Sequence, residues 1–172
     1  MSLESFEHSI ESPSLRSVVR HWAESRRGRR MPGWDDLKPS AIKDQLANIW
    51  SYRFDSATGD FVGRLAGERI EFVLGMSVRG RNMRDLFAQH DYQMAYERHL
   101  RVVTEPAFFR GHGLVYRHID RFDLGERIIM PLAQDGQHPD GIFGVTEFES
   151  TYGAPPEEIL RGAEIAEWFT LE

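Results

Sequence analysis

The chain has 172 residues, a net charge of -6 and no cysteine, with 41% hydrophobic and 12% aromatic residues. That length and apolar content suit one domain with a sizeable core, while the negative charge argues against non-specific attraction to nucleic acid or to an anionic membrane face. The absence of cysteine excludes disulfides, thiolate metal sites, thiol nucleophiles and flavin chemistry through a cysteinyl adduct.

No stretch approaches the roughly 20 consecutive apolar residues that cross a bilayer, and residues 1–11 are too polar for a secretory signal, so a cytoplasmic protein is expected. Residues 1–12, with serines among acids, are expected to be poorly ordered. Ser12-Pro13 then opens a helix whose Leu15, Val18, Val19 and Trp22 fall at i, i+3, i+4 and i+7, a single apolar stripe that something must cover. The helix stops in an arginine and glycine loop, and a helical turn is expected around residues 39–46.

Residues 49–54 and 61–66 are aromatic and β-branched runs around a polar turn, which predicts a β-hairpin. Residues 67–88 break into short helical pieces at Gly75 and Gly80. From 91 to 104 the spacing predicts a longer helix with Tyr92, Ala95, Tyr96, His99, Leu100 and Val103 on one face. Three strands follow at 107–118, 126–132 and 141–148, with turns at Asp123-Leu124-Gly125 and at 134–140, and a short tail helix is expected up to Trp168. Five antiparallel strands with helices gathered on one face, plus the amphipathic first helix, make an α+β arrangement.

Several short motifs punctuate that order. Arg27-Gly28-Arg29-Arg30-Met31-Pro32 follows the first helix, and Gly63-Arg64-Leu65-Ala66-Gly67 closes the second strand. The run from Leu74 through Gly80-Arg81-Asn82 to Phe87 covers the short helices, and Glu126-Arg127-Ile128-Ile129-Met130-Pro131-Leu132 lies in the fourth strand. In this sequence of motifs the chain resembles the PAS domain family, and more closely the stand-alone PAS-like proteins of alphaproteobacteria. The resemblance spans residues 14–148 and implies a five-stranded sheet, a helical face around a ligand pocket, and frequent dimerisation. It divides the chain into a helix and Arg/Gly loop at 13–47, a PAS-like core at 48–148 and a tail at 149–172.

A pocket of that kind would be lined by inward strand residues and the apolar face of the long helix. The candidates are Trp50, Tyr52, Leu65, Phe72, Met76, Leu86, Tyr96, His99, Met130, Ile142 and Thr146. The same pattern also fits a closed core with no room for a ligand. His99 shares the buried stripe of the long helix; the resemblance makes it a candidate axial ligand for haem, against a plain core-edge histidine. Arg27, Arg29 and Arg30, with Arg79 and Arg81, offer forks for an anion or an acidic partner, or equally cap helix ends and pair with nearby acids. His112 and His118 stand some 20 Å apart along one strand and cannot share a metal.

No nucleophile elbow, phosphate loop, dinucleotide fingerprint or zinc-protease helix is present, so no catalytic residue is expected. The expectation is a sensory or interaction domain, working as a homodimer, self-associating through the first helix and signalling to a separate partner. Two alternatives stay open: a small enzyme using a buried acid, with Glu68 or Glu71 in a cone-shaped pocket, and a ligand-free interaction module.

Overall fold

The computed structural model describes residues 2–172. Among these, β1 (Ile49–Asp55), β2 (Asp60–Ala66), β3 (Ala107–Arg117), β4 (Arg121–Leu132), β5 (Gly141–Tyr152) and β6 (Glu164–Thr170) form one antiparallel sheet in the order β2-β1-β5-β4-β3-β6. The helices are α1 (Leu3–Ser9), α2 (Pro13–Ser25), α3 (Glu68–Leu74), α4 (Gln89–Thr104) and α5 (Glu157–Gly162), joined in places by 3-10 turns. No helix among the described residues is long and apolar enough to cross a membrane.

Both faces of the sheet are covered. In β4 every residue from Glu126 to Leu132 is buried, so neighbours along the strand serve different cores. Ile128, Met130 and Leu132 join the core beneath α1 and α2, whereas Ile129 joins the core beneath α3 and α4.

The first of these cores absorbs the stripe of α2. Leu15, Val18, Val19 and Trp22 are all at most 1% exposed. The Trp22 ring meets Phe108 edge-on at 5.0 Å, and its indole N–H donates to the Pro131 carbonyl at 2.9 Å. Ser12 caps the helix by accepting from the Leu15 N–H at 3.3 Å, with Pro13 in the first turn. The entry of α2 is tied to the sheet by Glu126, which accepts from the Glu11 and Ser12 N–H groups at 2.9 and 3.0 Å. Beside it Arg110 of β3 reaches Glu126 at 2.6 Å, Glu167 of β6 at 2.5 Å and Glu11 at 3.3 Å. The apolar stripe of α2 is thus turned wholly inward.

Three local expectations are corrected. Residues 1–12 were expected to be poorly ordered, but Leu3–Ser9 is a helix whose Phe6 is fully buried and stacked on Phe108 at 4.8 Å. Tertiary packing stabilises a helix too short to persist alone. The turn expected at Asp123-Leu124-Gly125 lies inside β4, and the hairpin reverses at residues 118–120 instead. Gly125 is there for close backbone approach, since a Cβ would sit 2.0 Å from the Glu147 carbonyl oxygen. Finally, the tail is a short helix followed by β6, so the sheet has six strands in place of five.

On the other face, Asp60 at the start of β2 is fully buried and anchors two elements to the hairpin. It accepts from the Arg84 guanidinium at 2.8 Å and from the Tyr92 hydroxyl at 3.1 Å. Burial alone would raise its pKa, but Arg84, the Phe61 N–H and Tyr92 together hold it below the ordinary 3.8. A carboxylate depressed in the folded state stabilises the fold fully above that ordinary value, and the contribution disappears as pH falls through the lower folded-state value. Asp60→Asn is therefore expected to lower the urea midpoint at pH 7, with the gap to the parent protein closing below about pH 4. A gap that stays constant from pH 7 to pH 3 would contradict this role.

Candidate functional site

Between the sheet and the helices α3 and α4 lies a partly open cavity whose empty space, open solvent included, is about 350 Å³. Its floor is Trp50 and Tyr52 of β1 with Tyr116 and Arg127 of β3 and β4. Its roof is Ile70 and Leu74 of α3, Phe87, and Ala95 and His99 of α4. A water-sized sphere can be centred in only about 40 Å³ of it, which amounts to about three water positions.

His99 is held by ring packing. Its imidazole stacks on Trp50 at 5.1 Å and 11°, with Tyr52 at 5.8 Å and Phe61 edge-on at 5.7 Å. Burial, then the charges of Arg98 and Arg127, push its pKa well down, so the ring is neutral. Its buried Nδ1 has no hydrogen-bond partner among the described residues. Burial likewise pushes the Tyr52 phenol up, which keeps it protonated.

Arg127 supplies the one charge on the cavity wall. Its Nε donates to Thr146 Oγ1 at 3.3 Å, Nη1 to Glu164 Oε2 at 3.2 Å and Nη2 to the Val115 carbonyl at 2.8 Å. Thr146 also accepts from the Trp50 indole N–H at 3.0 Å, which fixes that ring under His99. Glu164 reaches in from β6 and pairs a second buried arginine, Arg98 of α4, at 2.9 Å. It passes over Gly111, where a Cβ would lie 2.1 Å from Glu164 Oε1. Burial, with Arg127 nearby, brings Arg98 down to about 10.

Of the pocket residues expected from sequence, the structure brings Trp50, Tyr52 and His99 onto the cavity wall. Thr146 stands behind them as a hydrogen-bond bridge, and Leu86 and Ile142 are buried in the same core without lining the cavity. Tyr96 is drawn to the hairpin, where its hydroxyl donates to the Gly59 carbonyl at 2.7 Å. Met130 is a correction: it faces the opposite core, under α1 and α2. Leu65, Phe72 and Met76 are corrections too, being 38%, 68% and 38% exposed; Phe72 lies outside against the Arg121 guanidinium at 4.8 Å.

The run 128–132 is apolar on both faces, so its alternation carries no sign of which side Met130 faces. Arg127 was missed for the same reason, although a charge within such a run is itself a signal. Tyr116 could not be found by parity, because a bulge between Leu114 and Tyr116 shifts the register and turns both Val115 and Tyr116 toward this core.

The arginines do not converge. Arg29 pairs with Asp36, and its Nε donates to the Arg26 carbonyl; Arg30 donates to the Leu171 carbonyl at 3.3 Å, and Arg27 has a left-handed backbone with φ of 49°. Arg79 and Arg81 are exposed on either side of Gly80, next to β2. Among the described residues no group of histidines and acids is arranged to hold a metal. The cavity wall carries no carboxylate: Glu68 is exposed, and Glu71 is used in accepting the Val78 N–H at 3.1 Å.

An antiparallel sheet that shelters a small cavity under short helices is an α+β arrangement of the PAS kind. A sequence profile of the PAS domain family matches residues 10–147, and the chain belongs to that family. No curated protein matches it.

Proposed function

We propose that this PAS domain is a cytoplasmic sensor that takes a small molecule into the cavity between the sheet and α3 and α4, and passes the change to a separate signalling protein. The observation that carries the reading is a partly open, largely apolar cavity whose wall includes the partnerless Nδ1 of His99 and the charged Arg127. The helix α2 and the Arg27 to Met31 segment ahead of the sheet support kinship with the stand-alone PAS-like proteins of alphaproteobacteria. The proposal includes a homodimer, formed through a surface other than the α2 stripe.

The cavity as it stands has no room for a haem macrocycle, whatever the availability of His99. The ligand in this reading is therefore a compact organic molecule. Ala95→Phe places a ring in the cavity from α4 and is the direct test. Denaturing mass spectrometry of the purified protein is expected to release a bound small molecule from the parent and not from Ala95→Phe, with both showing the same circular dichroism. Equal recovery from the two proteins, or none from a parent exposed to cell extract, would refute the pocket.

A further inference from the structure

The polar wall of the cavity is unbalanced in charge. Glu164 is the carboxylate that meets both Arg127 and Arg98, at 3.2 and 2.9 Å. Two positive charges against one negative leave the buried cluster with one positive charge, and the neutral His99 beside it adds none. The exposures are small: the Arg98, Arg127 and Glu164 side chains are 14%, 10% and 11% exposed. An uncompensated charge at such depth is costly, so the site gains from a ligand that brings a negative one.

A donor for such a ligand is also present. Of the five N–H groups of a guanidinium, Arg127 commits three to Thr146, Glu164 and Val115 and one to the Tyr116 hydroxyl, which leaves one for a ligand oxygen. The Tyr116 ring lies against the same guanidinium at 4.9 Å. Nearby, the Trp50, Leu74 and Ala95 surfaces are apolar and suit a compact hydrocarbon body.

Building on the pocket reading above, we propose that the ligand is a small monocarboxylate, its carboxylate on Arg127 and its apolar body between Trp50 and the α3 and α4 helices. Glu164 then competes with the ligand for the same guanidinium and tunes the affinity downward.

The test uses the full chain, isotope-labelled, with the His99 ring and Trp50 indole N–H signals followed by NMR. The probes are acetate and propionate against their uncharged counterparts, acetamide and propionamide. Each acid is expected to bind about tenfold more tightly than its amide. Glu164→Gln, which leaves the two arginines unopposed, should tighten the acids by about tenfold and the amides not at all. Arg127→Gln should erase the preference; if that variant fails to fold, Glu164→Gln carries the test. Amides that bind as tightly as the acids would overturn the carboxylate assignment and leave the pocket standing. Silence from all four probes would overturn both.

Discussion

Replacing Arg110 by methionine is expected to destabilise the fold by about 3–5 kcal/mol, the typical cost of removing one partner from a buried ion pair. The Arg110 side chain is 6% exposed and that of Glu126 is 10%, so the carboxylate left behind cannot recover its water. It would keep only the Glu11 and Ser12 N–H groups as donors, with Glu167 and Glu11 close by and of the same sign. Urea denaturation followed through tryptophan fluorescence measures the loss. The double change Arg110→Met with Glu126→Met should recover much of it, because the penalty comes from the stranded charge and not from missing attraction. A single variant within about 1 kcal/mol of the parent would show that the network is solvated in solution.

Trp22→Ala is expected to cost a similar amount, about 3–5 kcal/mol. The ring is fully buried, meets Phe108 edge-on, and its indole N–H satisfies the Pro131 carbonyl, which has no N–H of its own to join a ladder in return. Trp22→Phe retains most of the apolar contact and loses the hydrogen bond, so it should fall between the two. Hydrogen exchange would localise the effect: Trp22→Ala should release the α1 and α2 amides well before those of β4 and β5. Uniform protection across the chain would mean that the N-terminal layer does not depend on this side chain.

The strands of the core were legible where polar turn residues separate aromatic or β-branched runs, as at 49–66. The inward position of His99 was legible as well, from the spacing of Tyr92, Tyr96 and His99 on α4. What escaped reading has specific causes. In α1 only Phe6 is a buried apolar side chain, with Ile10 just beyond its end, too few among serines and acids to reveal a helix without the Phe108 and Phe169 rings that receive Phe6. In β6, Glu164 and Glu167 occupy opposite faces and pair with Arg127 and Arg110, so carboxylates stand where alternation predicts apolar residues. The site followed the same logic. Its aromatic half could be found from periodicity, while Arg127 owes its place to a partner 37 residues away in sequence.

Glu126 and Arg127 are adjacent in β4, yet one secures the entrance of α2 and the other stands on the cavity wall. Inserting or deleting a single residue just before them would send each charge into the wrong compartment, the guanidinium among Phe108 and Val145 and the carboxylate beneath His99. The strand should therefore accept exchange of one apolar side chain for another far more readily than any change in its length. Indels across relatives are expected at the exposed hairpin tip, residues 56–58, where a slip displaces no buried group.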